Sequence, residues 1–413
     1  MDVKGDLLTV SQKEKVRIRG LAERVAEVAR EPRMAAIKKR WADVNALRKP
    51  DRAPVWCRPV GCWKEIITDA MLECTEPWLR NLERSLLKTL HKRDIDDDEP
   101  VEEHLSVGAV IKTEPANIWG VDIGRHQSSE AGGAWGYDPP LKTADDLDKL
   151  QLPDFSYCED ETLQRKARLE DLLGGIMPVR LTAAPPLGAT LGTAAAELRG
   201  LEPMMMDMIA EPELMHRLMA HLRDATLRGM DQLEATGLIT PNNNGAMTYS
   251  DPIGETGTTG TFTCKHLWCM ANSQEFDQVS PAMWEEFCLA YQRPIFERFG
   301  LVGYGCCENL THKIDGVLSI PNLRILVCSA WTDLGTLLER AGGNYCVMWR
   351  QKASDVVFPD DPETIKRDLM QGAQQLQGSY HQIVLRELET LSGHPDRLHE
   401  WTRYAKEAAE KYA

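Results

Sequence analysis

The 413-residue chain is short of several things, and each shortage excludes a class of function. It has no basic run longer than Lys38-Lys39-Arg40, its formal net charge is −15 and its pI is near 5.2. A nucleic-acid backbone or an anionic membrane surface needs clustered Lys and Arg, so neither is an expected partner. No uninterrupted apolar stretch approaches the ~18–20 residues of a membrane span, and the N-terminal MDVKGDLLTVSQKEKVRIRG lacks the apolar core of a signal peptide. There is no Walker loop, no G-x-G-x-x-G and no H-E-x-x-H, which removes the usual signals for P-loop phosphoryl transfer, dinucleotide redox chemistry and zincin proteolysis. Internal repeats and low-complexity tracts are missing too. The eleven cysteines, an odd number spread from Cys57 to Cys346, lack the short framework spacing of secreted modules. Reduced thiols in a soluble cytoplasmic protein are expected.

What is present is an alternation. Residues 10–48 place Leu21, Val25, Val28, Ala29 and Met34 at helical spacing among charges, and residues 1–50 are read as an N-terminal helical extension. From residue 51 to 413 short apolar runs alternate with longer amphipathic ones, as crossover helices joining parallel strands require. Strands are expected at Ala53–Val60, Ser106–Lys112, Met177–Ala183, Gly237–Pro241, Leu301–Gly305, Leu323–Cys328, Tyr345–Trp349 and His381–Leu385. A helix over 281–299 opens with Ser280 as N-cap and Pro281 in the first helical position, and Pro294 is a kink candidate. Eight strands predict a single α/β domain, a (β/α)8 TIM-type barrel. Two long segments, 113–142 with Trp119 and Trp135, and 242–270, each follow an expected strand and should lie together on one rim.

In such barrels the reacting groups sit where the strands end. The stretch LVGYGCCENL delivers Cys306, Cys307 and Glu308; later strand ends deliver Trp331, then Trp349, Arg350 and Lys352, then Arg386, Glu387 and Glu389. Cys306 and Cys307 are not expected to bridge each other, since neighbouring Cα atoms lie about 3.8 Å apart, closer than disulfide geometry prefers. Thiolate and carboxylate are zinc ligands, so Cys306 or Cys307 with Glu308 can begin a catalytic metal set, with one of the two thiols expected to be packed away. Small buried apolar cysteines are the competing reading. Cys264-x-His266-x-x-Cys269 looks like half a structural zinc site without a second pair at finger spacing. Arg58 in WCRPVGCW, Asp251 in YSDPIGE and Glu308 are the charged groups expected in the cavity. Asn243 lies on the loop after Gly237–Pro241, and Trp268, Trp331 and Trp349 are candidates for a flat apolar wall. His312 is read mainly as a solvated polar residue.

The phrases SQEFDQVSPAMWEEFCLAYQRPIFERFGL, IPNLRILVCSAWTDL and VLRELETLSGHPDRLHEW, with the β-α units between them, resemble the uroporphyrinogen decarboxylase superfamily over most of residues 50–410. Within it the chain is similar to the corrinoid-dependent methyltransferase branch. The resemblance implies a single barrel with an N-terminal helical extension that moves a methyl group to or from the cobalt of a separate corrinoid-binding protein. It also implies zinc held by a His-x-Cys pair and a later cysteine. Here Tyr304-Gly305-Cys306 stands at the first place, and Glu387 or Glu389 stands near the second, so an oxygen-rich metal site or a non-thiol substrate is implied. In the haem-pathway decarboxylases of the same superfamily, clustered arginines hold an acidic tetrapyrrole. The first strand here offers only Arg58, so a polycarboxylate is expected to lack counter-charges.

The expected reaction is therefore methyl transfer from a small O- or N-methylated substrate, such as a phenyl methyl ether. Zinc, or Glu308 or Asp251 as general acid, would stabilise the leaving atom, with Tyr304 beside them. Decarboxylation of a tetrapyrrole or another carboxylated substrate is the second reading, and a barrel that only binds is the third. A broad rim built from 113–142 and 242–270 is the expected docking place of the cobalamin domain, and a homodimer is compatible with the free cysteines.

Overall fold

The computed structural model describes residues 10–127, 135–255 and 260–413. Its centre is a curled parallel sheet. Among the described residues eight strands take part in parallel pairing, β1 (Val55–Pro59), β2 (Leu105–Gly108), β3 (Val179–Thr182), β4 (Trp268–Ala271), β5 (Leu301–Tyr304), β6 (Leu323–Cys328), β7 (Cys346–Gln351) and β8 (Tyr380–Leu388). Six of them form one sheet in the order β1-β8-β7-β6-β5-β4, while β2 and β3 pair separately. The α/β class holds, but among the described residues the expected ring of eight does not close as one hydrogen-bonded sheet.

Side chains cap the free edge of β1 and bridge the gap between β3 and β4. At the free edge of β1, the backbone N–H of Val55 donates to Asp98 Oδ2 at 2.8 Å and that of Cys57 donates to Asp97 Oδ2 at 3.0 Å. Two carboxylates thus satisfy donors that a neighbouring strand would otherwise take, which also blunts an exposed edge. Asp98 is balanced by Arg40 and Arg52 at 2.8 and 2.7 Å. Between β3 and β4 runs the segment 237–241, expected as a strand. It forms none, because Pro241 has no N–H to give and side chains replace the ladder. Thr240 exchanges hydrogen bonds with Ala183 through its backbone N–H and its hydroxyl, and the Asn242 amide brackets the backbone of Trp268 at 2.8 Å on both sides.

Period-two alternation sorts the strands into two faces. Trp56, Trp268, Ile325, Val327, Cys346, Met348 and Val384 join one buried cluster, on the concave side. Cys269, Val302, Tyr304, Leu326, Cys328 and Val347 join another, against the outer helices. By the same parity Arg58, Arg350 and Arg386 stand on the concave face near the ends of β1, β7 and β8. The helix expected over 281–299 is observed as Pro281–Trp284 and Ala290–Phe296, with a π-helical turn at Glu285–Leu289 between them and Pro294 inside the last piece.

Residues 10–48 form two helices, α1 (Gln12–Ala29), whose N-terminus carries a Ser11/Glu14 capping box, and α2 (Pro32–Asn45). Trp41 of α2 is fully buried, its indole donating to Asp98 O. At the end of α2, Asn45 donates to Met247 O and Tyr249 O, its own amide oxygen accepts from Gln382 and its carbonyl from Arg324. Arg324 and Gln382 belong to the first residues of β6 and β8, so residues 245–251 cover the end where the strands begin. For residues 245–251 the expectation that 242–270 shares a rim with the strand ends is corrected accordingly. Residues 111–114 and 124–127 pair with 154–157 and 135–138 as two small antiparallel sheets, so much of the long first loop is structured. Residues 128–134 and 256–259 lie outside the described set. Among the described residues no helix is long and apolar enough to cross a membrane.

Candidate functional site

The site begins with a turn. After β5 the chain passes through Gly305 at φ +115, where a Cβ would sit 2.8 Å from Val327 Cβ and 2.9 Å from Leu310 Cδ1, so only glycine fits the bend. The turn then presents Cys306 and Cys307 to the mouth of the sheet with their sulfurs 3.5 Å apart. Both thiols line the cavity, contrary to the expectation that one would be packed away. The Cys306 peptide is clamped at both ends: its N–H donates to Glu308 Oε2 at 2.9 Å, and its carbonyl accepts from Arg350 Nη1 at 2.6 Å.

Glu308 therefore has a different task from the one its position suggested. Its side chain is buried, with Oε1 accepting from Ser273 N at 2.8 Å and Oε2 from Cys306 N, so backbone donors engage both oxygens. The carboxylate that reaches the thiols is Glu387. Ligand atoms of Cys306, Cys307 and Glu387 all lie within 4.8 Å of one another, and among the described residues no other three histidine, cysteine or acidic groups converge this closely.

A bulge brings Glu387 there. β1 pairs Cys57 with Leu385 and Pro59 with Leu388, so three steps of β8 oppose two of β1, and Glu387 takes φ +61. The extra residue breaks the alternation, and Arg386 and Glu387, although consecutive, both line the same cavity of about 340 Å³. Trp331 and Lys352 complete its rim, with the ammonium 5.0 Å from the indole centroid.

The electrostatics favour a thiolate. The Cys306 thiol is pulled from its ordinary 9.0 to about 6, first by the S–H of Cys307 donating to it and then by Arg350 and Arg386, against the opposing effect of burial. Cys307, as the donor, is pushed up. Arg386 is lowered by burial first and by its neighbours Arg350 and Arg58, with Glu387 and Cys306 opposing. The expected shortage of counter-charge is thus not what the fold delivers: Arg350 and Arg386 arrive from the last two strands of the sheet.

Other candidate residues lie elsewhere. Asp251 pairs with Arg48 at 2.8 Å at the opposite end of the sheet. Asn243 donates to Ser250 O and Trp268 donates to Ser250 Oγ, which ties both to the same loop. Tyr304 is fully buried on the outer face, donating to Gln292 Oε1 at 3.0 Å and accepting from the Trp284 indole. Trp349 is also on the outer face, packed so close to Gly372 that a Cβ there would fall 2.2 Å from its ring. Arg58 is exposed and lines a neighbouring cavity with Trp63, Lys88 and Lys92. His312 is exposed, and His266 closes a turn, its Nδ1 accepting from Thr263 N. Cys264 and Cys269 are buried, and burial pushes the Cys269 thiol up to about 12.

No protein-family model matches the chain, and no curated protein matches it. Among solved structures 23 chains match. One is described as a methyltransferase from Methanosarcina mazei; it is 12% identical, the likeness covers 90% of this chain and 98% of that one, and the TM-score is 0.47.

Proposed function

We propose that the protein is a methyltransferase that moves a methyl group between a small O- or N-methylated substrate and the cobalt of a corrinoid protein. The proposed scaffold is a β/α barrel, its ring completed by the β2-β3 pair and the bridge between β3 and β4, and its setting is the cytoplasm, where thiols stay reduced. The observation that carries the reading is the donor set of Cys306, Cys307 and Glu387 at the strand ends, within 4.8 Å of one another. Two thiols and a carboxylate suit zinc, which in catalytic sites takes three protein ligands and leaves a position open. Bound there, zinc would supply a Lewis acid for the leaving atom, while the partner's corrinoid supplies the cobalt. The chain's own residues do the rest. Arg350 and Glu308 fix the Cys306 peptide, Arg350 and Arg386 favour its thiolate, and Trp331 offers a flat face to a methyl-bearing ring.

Elemental analysis of the purified protein tests the metal. A screen of aryl methyl ethers and methylamines with a reduced corrinoid protein tests the reaction. Zinc bound in a one-to-one ratio and methyl transfer from one donor class support the reading; no zinc and no transfer from either class reject it. The arginines facing the cavity favour one alternative, decarboxylation of a carboxylated substrate. Release of CO₂ in the absence of any corrinoid protein would select it.

A further inference from the structure

The guanidinium of Arg350 is only half used. Nη1 donates to Cys306 O, and Glu387 Oε1 lies 3.6 Å from the same nitrogen. The opposite edge, Nε and Nη2, is buried and has no hydrogen-bond partner among the described residues, although Arg350 is 3% exposed. Arg386 stands beside it, and its Nε is likewise buried without a hydrogen bond, Glu387 Oε1 being 3.4 Å away but not aligned to accept. Buried donors left unmade are costly, and native proteins rarely keep three of them together without a use. Both side chains line the cavity that Cys306, Cys307 and Trp331 share.

We infer that this cavity binds the carboxylate of a small anionic substrate, held by the free Nε–Nη2 edge of Arg350 and the Nε of Arg386. An Nε–Nη edge is a planar two-donor fork, and the two oxygens of a carboxylate match it in spacing and plane. The charge count points to a single negative charge. Glu387, 3.6 Å from Arg350 and 3.4 Å from Arg386, already pairs with both arginines, which leaves less positive charge for a dianionic phosphate. The Trp331 indole on the rim then faces the rest of the molecule, so an aromatic carboxylate fits the wall as well as the floor. As a statement about the methyl donor this rests on the reading above; as a statement about binding it is tested without turnover.

The test is calorimetric titration of the full-length protein with benzoate, with its neutral isostere benzamide and with inorganic phosphate. Benzoate should bind, benzamide at least about tenfold more weakly, and phosphate more weakly than benzoate. Arg350→Gln and Arg386→Gln should each weaken benzoate about tenfold or more and leave benzamide unchanged. Arg350→Lys and Arg386→Lys, which keep the charge but lose the fork, should fold as the parent does by circular dichroism and still lose affinity. Equal binding of benzoate and benzamide, or benzoate binding indifferent to all four substitutions, overturns the inference, and tighter binding of phosphate overturns the carboxylate assignment. Methyl transfer from neutral donors with no benzoate binding would sink this inference alone. Benzoate binding with no methyl transfer would sink the proposed reaction alone.

Discussion

Arg350 reaches from β7 to donate to the carbonyl oxygen of Cys306 at 2.6 Å, and the same nitrogen lies 3.6 Å from the Cys306 sulfur. One guanidinium thereby fixes the peptide that aims the thiol and supplies charge that keeps it ionised. Positioning and electrostatics at this cysteine are consequently inseparable, and a substitution at Arg350 must disturb both.

The first prediction concerns reactivity. An acid whose pKa falls from 9.0 to about 6 is charged throughout that window, so the Cys306 thiolate should form as pH rises through about 6 and be lost as pH falls below it. Alkylation of Cys306 by iodoacetamide, followed by peptide mass spectrometry, should reach half its plateau rate near pH 6. Cys307→Ala removes the largest cause and Arg350→Met the next of those that lower it, so both should move the midpoint toward the ordinary thiol range. An unchanged midpoint in both variants would show that neither neighbour sets the charge.

The second prediction separates two glutamates. Cobalt(II) substituted for zinc reports thiolate ligation as an absorption band. That band should disappear in a Cys306→Ser/Cys307→Ser double variant and weaken, with metal affinity lowered about tenfold or more, in Glu387→Gln. Glu308→Gln should retain the thiolate band while lowering the melting temperature, because its carboxylate secures backbone N–H groups of Ser273 and Cys306. The reverse pattern, a ligand effect at Glu308 and none at Glu387, would reinstate the assignment that adjacency in CCE suggests.

That contrast also marks how far the sequence carries. The later strands are legible because their apolar runs are bounded by turn residues and alternate cleanly, and the same parity puts Arg350 and Arg386 at the mouth. Trp268–Ala271 escapes notice because its residues are almost all buried, so no polar alternation separates the strand from the loop around it. Gly237–Pro241 has the composition of a strand, yet its pairing depends on the Thr240 hydroxyl and the neighbouring Asn242 amide, which no periodicity encodes. Glu387 joins the thiols through a bulge with φ +61, an irregularity that pattern reading treats as continuous strand. Asp251 and Trp268 lie away from the mouth for a related reason: 237–241 is not a strand, so the loop after it does not start there. Asp97 and Asp98 carry the opposite lesson, since an acidic run normally read as solvated surface here replaces a strand partner.

The third prediction concerns the turn that makes the site. At Gly305 any side chain meets two obstacles together: φ +115, which L residues avoid, and a Cβ that would lie 2.8 Å from Val327 Cβ and 2.9 Å from Leu310 Cδ1, neither the end of a long flexible chain. Relief requires the turn to shift away from β6, which moves the Cys306 carbonyl off Arg350. Gly305→Ala should therefore cost about 2 kcal/mol or more in urea unfolding and also raise the midpoint of Cys306 alkylation. Gly175→Ala is the control. It shares the left-handed conformation at φ +82 but has nothing within 4 Å of its Cβ, so it should cost about 1 kcal/mol and leave the thiol unchanged. Equal losses in the two variants would mean that backbone strain alone matters at Gly305. A stability loss at Gly305 without a change in thiol reactivity would mean that the bend does not aim Cys306.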